Sequence, residues 1–463
     1  MAVPDNTRYL GPRGFDQANF TLSADQRNVI ILLVLGVIIL FIQAGTGPAL
    51  LIINSIFTIF FLVSTTYRLS LIDMSLRSRG EIKIDGKLEP PHGEWPEYVI
   101  QVPLYKEATA IPHLIESLTN LDYPKNKLTI QLLVEADDEA TKGAVETANI
   151  ELPFVVIDIP VSYPRTKPKA CNVGLAVAKG DYLVIYDAED RPDPDQLKKA
   201  VIGFSQCERE VACIQAKLNF YNTERNLLTR CFSAEYAMWF DLCLPGLDAL
   251  RAPIPLGGTS NHFRLEVLTQ LKGWDEYNVT EDCDLGLRLF SQGWQTRILD
   301  STTWEEACPK LTWWIKQRSR WVKGYMQTYL VHTRDILGLT KKLGIVNSMH
   351  FHLLIGGSVL AQLLSTIYWI LVCVWLGWRP DIIGTFFPGP IFAMAALCLF
   401  VGNFAFVYTC AIACECRVGL GKVVKYTPLM VIYWIIMSVA GWKGALQLIW
   451  KPHFWEKTQH HAD

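Results

Sequence analysis

At 463 residues, half of them hydrophobic, the chain is too long for one ordinary domain and too apolar to lie wholly in water, so part of it belongs in lipid. Its 43 Lys and Arg balance 45 Asp and Glu with no long basic run, which excludes nucleic acid as the main partner. Twelve cysteines without a repeated CxxC or a compact zinc spacing point to reduced thiols, and the tight group Cys410, Cys414 and Cys416 reads as packing before metal binding or palmitoylation.

A polar arm of mixed charge, 1–28, leads into two apolar runs, Val29 to Ala44 and Ala49 to Leu71, separated by the uncharged Gly45-Thr46-Gly47-Pro48. The second is long enough to span a bilayer and the first slightly short, so 29–72 is expected to form a transmembrane hairpin. The late start behind a polar arm argues for an uncleaved anchor over a signal peptide. Arg68, Arg77, Arg79 and Lys83 follow the second span and place the linker 73–95, and what comes after it, in the cytoplasm.

From 96 to 305 apolar strands alternate with amphipathic segments: Tyr98 to Tyr105, Leu128 to Val134, Phe154 to Ile159, Tyr182 to Tyr186 and Val211 to Leu218. That rhythm predicts an α/β domain with a mostly parallel, Rossmann-like sheet covered on both faces. Ile111, Leu114, Ile115 and Leu118 supply one helical face directly after the first strand. Such sheets bind ligands at the carboxyl ends of their strands, where Pro103-Leu104-Tyr105-Lys106-Glu107, Glu135-Ala136-Asp137-Asp138 and the acids from Asp187 all fall.

The next stretch, 306–345, mixes Trp313, Trp314, Trp321, Tyr325 and Tyr329 with Lys310, Lys316, Arg318 and Lys323, a pattern of amphipathic helices at a membrane interface. Apolar runs return from Met349 to Trp378, Pro390 to Ala413 and Thr427 to Val439, which predicts a carboxyl-terminal transmembrane region, 346–450, of about three spans. The linker with Arg417, Lys422 and Lys425 reads as cytoplasmic. The last run is short, so crossing, re-entry and an interfacial position stay open, as does the side on which the tail 451–463 ends. The nine His are dispersed, and His460-His461 reads as tail, not as a metal site.

Three clusters carry chemistry. Asp187-Ala188-Glu189-Asp190 ends a strand and offers the carboxylate oxygens a hard cation wants, although Arg191-Pro192-Asp193-Pro194 also suits a plain acidic turn. Val279-Thr280-Glu281-Asp282 precedes Leu285, Leu287, Leu289 and Phe290, so Thr280 can cap a helix that holds the acids at its positive end. Gln317-Arg318-Ser319-Arg320-Trp321 comes last. Each alone is weak evidence. In this order, between membrane runs, they resemble the signature of the processive family 2 glycosyltransferases, the group of cellulose, chitin and hyaluronan synthases.

The resemblance implies a GT-A type nucleotide-sugar domain, and its roles fall on this chain motif by motif. Pro103, Tyr105 and Glu107 belong to the first nucleotide-contacting turn. Asp137 is the acid that holds the uracil, with Glu135 and Asp138 as alternatives and a solvated acidic loop as the plain reading. Lys167, Ala170 and Asn172 match a Lys-x-x-Ala-x-Asn pattern, which turns Lys167 toward the diphosphate. Asp187 and Glu189 match the metal-binding Asp-x-Asp with Glu second, and Asp190 competes for that second position; the ion is Mg²⁺ or Mn²⁺. Gly257-Gly258-Thr259-Ser260-Asn261 resembles a Gly-rich turn lining the acceptor sugar, where a plain loop also fits. In the Thr280-Glu281-Asp282 set, Asp282 is the general base that makes an acceptor hydroxyl nucleophilic. Gln317 and Arg320 face the pyrophosphate, and Trp321 offers a flat face to a sugar ring.

Together these imply an inverting, metal-dependent hexosyltransferase of the bacterial inner membrane, with its catalytic domain in the cytoplasm. It would take a UDP-sugar and pass a growing β-linked polysaccharide through its own spans. The tail Trp450-Lys451-Pro452-His453-Phe454-Trp455-Glu456-Lys457-Thr458 resembles one common in bacterial members that make β-glucans, and with the Asp-x-Glu variant it favours UDP-glucose. Rival readings are a UDP-GlcNAc-using synthase, transfer of one sugar to a polyprenyl phosphate, and a membrane subunit that binds nucleotide without turnover. An accessory or regulatory subunit as a further partner stays open.

Overall fold

The computed structural model describes residues 11–12, 16–78, 80–148 and 152–454. Arg79, Trp455 to Thr458 and His460-His461 lie outside the described residues.

An eight-stranded sheet carries the domain between the two apolar regions. Its strands are β1 (Tyr98–Leu104), β2 (Leu128–Glu135), β3 (Phe154–Ile159), β4 (Tyr182–Ile185), β5 (Arg191–Pro192), β6 (Val211–Phe220), β7 (Asn261–Arg264) and β8 (Gln295–Glu305), in the spatial order β3-β2-β1-β4-β7-β6-β8-β5. β1, β2 and β6 are buried almost throughout, as expected of strands that are covered on both faces and read as near-continuous apolar runs. Parallel pairing sets Val99 beside Thr129 on one side and Leu183 on the other.

Past β4 the sheet becomes mixed. β7 runs antiparallel to both β4 and β6, β6 and β8 are parallel, and β5 closes the edge antiparallel to β8. The alternation of the sequence marks neither β7 nor β8. β7 is four residues long and contains His262 and Arg264, while β8 is of mixed polarity and pairs with β6 through two register shifts. Arg191-Pro192, which has turn chemistry in the sequence, forms the short edge strand instead.

Among the described residues, five helical stretches are long and apolar enough to cross a membrane: Ala24–Ala44, Thr46–Ser78, Leu311–Trp378, Gly389–Cys416 and Gly421–Trp450. The first opens on a capping box, with the Ser23 hydroxyl accepting from Gln26 N and the Gln26 side chain accepting from Ser23 N. The third stretch is interrupted by Thr333–Asp335 and by a non-helical Gly344 at φ 76°, which separate Leu311–His332 from the apolar Gly357–Trp378.

The last helix, Met430–Trp450, lies along Leu311–His332 so closely that a Cβ on Gly444 would stand 2.6 Å from the Ser319 carbonyl oxygen. Residues 451–454 then turn back onto the sheet domain. Lys323 Nζ donates to Phe454 O at 2.7 Å, Gln327 Nε2 donates to Pro452 O at 3.1 Å, and the His453 ring lies 3.3 Å from Tyr277 O. A buried charge cluster fixes the domain from another side. Lys217 Nζ meets Glu81 at 2.7 Å, Asp300 at 2.8 Å and Asp241 at 3.2 Å, and Arg417 meets Asp241 at 2.6 Å. Each buried cation is matched by a carboxylate, so the cluster ties both helical regions to the sheet without leaving a lone charge.

Candidate active site

One cavity of ≈1260 Å³ starts at the carboxyl ends of β1, β2 and β4 and runs on between the apolar helices. At its domain end stand Asp187 and Glu189, directly after β4. Lys167, at the start of the helix Lys167–Leu175, donates to Asp187 Oδ1 and, at 2.7 Å, to the carbonyl of Gly258. Although burial opposes it, the charges of Asp187 and Glu281 raise the Lys167 ammonium above its ordinary range, so it stays charged.

Asp190 does not share this position. Its carboxylate is buried beneath the turn, with Oδ2 accepting from Asp187 N at 2.8 Å and from the Thr259 hydroxyl, and it is not among the residues that line the cavity. Burial and then repulsion by Asp187 and Glu189 push it well above the ordinary carboxylate range.

Glu305, the last residue of β8, also lines the cavity, and the sequence reading does not include it. Burial first, then Asp190, Asp187 and Glu189, push its carboxyl well up. This crowding of carboxyls fits a hard divalent cation. Among the described residues no three His, Cys, Asp or Glu side chains are arranged to hold an ion by themselves. That suits a cation that takes one or two carboxylates from the protein and completes its shell from substrate phosphates. Asp187 and Glu189, which line the cavity, are the side chains that could hold such a cation.

Thr280, Glu281 and Asp282 line the same cavity at the start of the helix Glu281–Ser291. Thr280 does not cap that helix through its side chain. Its backbone N–H donates to Asn278 Oδ1 at 3.0 Å, and its side chain lies under Gly324, where any Cβ would collide with it. The helix Leu311–His332 is locked onto this segment in register. Val279 N donates to Gln327 Oε1 at 3.0 Å, Asn278 Nδ2 donates to Thr328 Oγ1 at 2.9 Å, and His332 meets Asp284 at 2.8 Å. That docking brings Gln317, Arg320 and Trp321 to the cavity wall beside the acids.

Burial, partly offset by the Cys283 N–H, Lys167 and Arg320, pushes Asp282 up to about 6. Burial and the neighbouring Asp282 push Glu281 to about 8. At neutral pH the pair therefore holds about one proton, with Asp282 the ionised member. A base must be ionised to act, so activity should be full above pH 7 and fall about tenfold per unit below about 6. A pH–rate profile at saturating donor checks this; a rate unchanged down to pH 5 would contradict it.

Pro103, Tyr105 and Glu107 line the other side of the mouth. The acid that joins them is Glu135, not Asp137. Asp137 is not among the lining residues but pairs at 2.6 Å with Arg165, which is, and Asp138 accepts from Lys106 N and caps the helix Glu139–Thr147. The three acids follow one another along the chain and leave the strand end in different directions, which spacing alone cannot separate. Glu135→Gln should weaken donor binding roughly tenfold, the scale of one charged hydrogen bond, whereas Asp137→Asn should change it less than about threefold. Calorimetry with UDP reads both, and the opposite order would return the role to Asp137.

The Gly-rich turn contributes less than its sequence suggests. Gly257 and Gly258 line the cavity, but Thr259, Ser260 and Asn261 are buried and form no part of its lining. Their polar groups are engaged internally: Thr259 with Ile185 O and Asp190, Ser260 with Thr303 at 2.7 Å, and Asn261 with Gly257 O at 2.6 Å. They lead into β7, which Asn261 opens, and an acceptor sugar would have to break these bonds.

Trp321 lies beside Tyr236, with ring centroids 6.3 Å apart and near-parallel planes, and under the Arg318 guanidinium at 4.6 Å. Arg318 in turn is bound by Glu235 and, at 2.8 Å, by the hydroxyl of Tyr433. Glu235, the one carboxylate of the helix Leu227–Met238, is a second lining residue the sequence reading does not include. Beyond Trp321 the cavity is lined by Arg68, Ser64, Phe61 and Thr58 of the helix Thr46–Ser78, and by Gln362, Ser365, Tyr368, Trp369, Asn403 and Trp434 of the later ones.

Residues 182–408 match the profile described as Glycosyl transferase family group 2. Among curated proteins, the chain is similar to "Probable glycosyltransferase YdaM" of Bacillus subtilis (strain 168), 26% identical over 261 residues, 56% of this chain and 62% of that one. It is also similar to "Probable glucomannan 4-beta-mannosyltransferase 3" of Arabidopsis thaliana, 25% identical over 55% of this chain and 47% of that one. The match thus spans less than two thirds of either relative. Among solved structures, the mannosyltransferase PcManGT from Pyrobaculum calidifontis, in complex with GDP-Man and Mn²⁺, is 17% identical at a TM-score of 0.49, covering 85% of this chain and 99% of that one.

Proposed function

We propose, from the premise that this chain carries a GT-A fold and is kin to glycosyl transferase family group 2, that it is a membrane-embedded inverting glycosyltransferase. It takes a UDP-sugar, UDP-glucose first, and lengthens a β-linked polysaccharide that leaves through the protein's own helices. The observation that carries this reading is the continuity of the cavity. It connects Asp187 and Asp282 to Tyr368, Trp369 and Trp434 with no wall between them. Polar side chains on membrane helices are costly unless they face protein or water, and Gln362, Ser365 and Asn403 all face this passage. Enzymes that add one sugar to a lipid carrier need no such conduit. The plant relative's name ascribes to it a 4-β-mannosyl transfer in a glucomannan, itself a β-linked polymer.

The reaction follows from the residues in place. Asp187 and Glu189 hold the divalent ion, which when bound neutralises diphosphate charge as a Lewis acid. Lys167 and Arg320 line the same cavity as Asp187 and would oppose the negative charge that grows on the diphosphate as the sugar departs. Asp282 takes the proton from the acceptor hydroxyl as that oxygen attacks the anomeric carbon from the side opposite the leaving group. Trp321 sets the acceptor ring against Asp282. Arg77 and Lys83 after the second span support a cytoplasmic position for the domain, and the membrane is read as a bacterial inner membrane.

Trp321→Ala tests the reading. Water needs no platform and an acceptor sugar does, so the variant should shorten the polymer and raise the ratio of UDP released to sugar incorporated roughly tenfold or more. Unchanged chain length and ratio would leave Trp321 as one aromatic among several that anchor an interfacial helix.

A further inference from the structure

Arg68 stands out among the cations of the cavity. Lys167 has Asp187, Arg165 has Asp137, and Arg318 has Glu235. Arg68 lines the cavity too, yet among the described residues it makes no hydrogen bond or ion pair, and its electrostatic neighbours are the thiol of Cys243 and the phenols of Tyr67 and Tyr325, all neutral at pH 7. Arg68 is half-buried in the cavity wall, and a guanidinium there without an anion is left only partly solvated.

Its position is fixed and faces inward. Thr58, Phe61, the pair Ser64 and Thr65, Arg68 and Leu71 recur about one helical turn apart and line the cavity as one stripe of the helix Thr46–Ser78. One turn past Arg68, the Leu71 carbonyl packs against Gly246 with no room for a Cβ, so the helix cannot slide or rotate to carry Arg68 elsewhere. Tyr325 ties Arg68 to the chemistry, since it lies within electrostatic reach of both Asp282 and Arg68. An acceptor with its reactive hydroxyl at Asp282 therefore extends past Tyr325 toward Arg68.

We propose that Arg68 receives an oxyanion, carboxylate or phosphate, borne by the part of the acceptor that lies beyond Tyr325. The inference rests on the reading of the cavity as the acceptor's path, and narrows the acceptor to an anionic one. A uronic acid along a polysaccharide and the phosphate of a lipid carrier present the same chemistry to the guanidinium, and Arg is suited to both.

The test measures binding of three probes to the full chain in lipid nanodiscs with UDP present: a neutral β-glucan oligosaccharide, one of equal length carrying hexuronates, and a short-chain prenyl phosphate. Wild type should bind one charged probe roughly ten- to a hundredfold more tightly than the neutral one, the scale of a charge-assisted hydrogen bond. Which probe wins identifies the source of the oxyanion. Arg68→Gln should bring that preference to within about threefold, and Arg68→Lys should restore part of it. A wild type that binds the neutral probe as tightly as either charged one overturns the proposal without reference to any variant, as does a charge preference that survives in Arg68→Gln. Neutral-probe elongation in a wild type that shows no charge preference would leave the glycosyltransferase reading standing while the anionic acceptor falls. UDP release indifferent to Asp187→Asn would remove both.

Discussion

Asp187→Asn should lower donor turnover by roughly a hundredfold or more while the protein still inserts and folds. The change keeps the shape of the side chain and removes the charge that both Lys167 and a divalent ion need. Folding should survive because Asp187 belongs to a crowded set of carboxyls. Its charge is one of those that push Asp190 and Glu305 upward, so its loss relieves repulsion at two buried neighbours. Lys167 keeps its bond to the Gly258 carbonyl. The check is UDP release in Mg²⁺ and in Mn²⁺, beside a size-exclusion profile of the purified protein. A normal rate in either ion would remove Asp187 from the metal site.

Asp282→Asn should give a different loss, with UDP-sugar binding retained and transfer reduced by about 10² to 10⁴. The base acts on the acceptor hydroxyl and contributes little to holding the donor. Asp282 is anchored by the N–H of Cys283 at 2.7 Å, which an Asn side-chain oxygen can also accept, so the local geometry persists. Removing this charge also lifts the repulsion that raises Glu281, and Glu281 then ionises closer to its ordinary range. Calorimetry with the donor and a transfer assay separate binding from chemistry. Loss of both together would make Asp282 a structural or nucleotide-binding residue.

Fold and site differ in how much of them the sequence carries. β1, β2, β3, β4 and β6 are legible because burial on both faces forces apolar runs, and each is found within two residues of its expected ends. β7 is not, since four residues beginning in a polar turn have no period to detect. The same fact explains the acceptor turn. Thr259, Ser260 and Asn261 have the chemistry to bind sugar, but they are buried and their side chains bond internally. Motif spacing brings Asp187, Glu281, Asp282, Arg320 and Trp321 to one wall, although 134 residues separate Asp187 from Trp321 in the chain. It could not separate Glu135 from Asp137, because that depends on which way each side chain leaves the strand end. Glu305, Glu235 and Arg68 lie in no motif. None of them repeats a recognisable pattern, and only the assembled cavity gives each a place.

The passage between the catalytic acids and the apolar helices is the centre of this account, and the length of the product tests it most directly. The purified chain in nanodiscs would be incubated with Mg²⁺ and a panel of UDP-glucose, UDP-GlcNAc, a UDP-uronate and GDP-mannose, and the product sized. One UDP-sugar should give a β-linked polymer many sugars long, with little material of intermediate length, because the growing chain stays in the cavity between additions. A product that stops at one sugar on a lipid carrier, from every donor, would contradict the account.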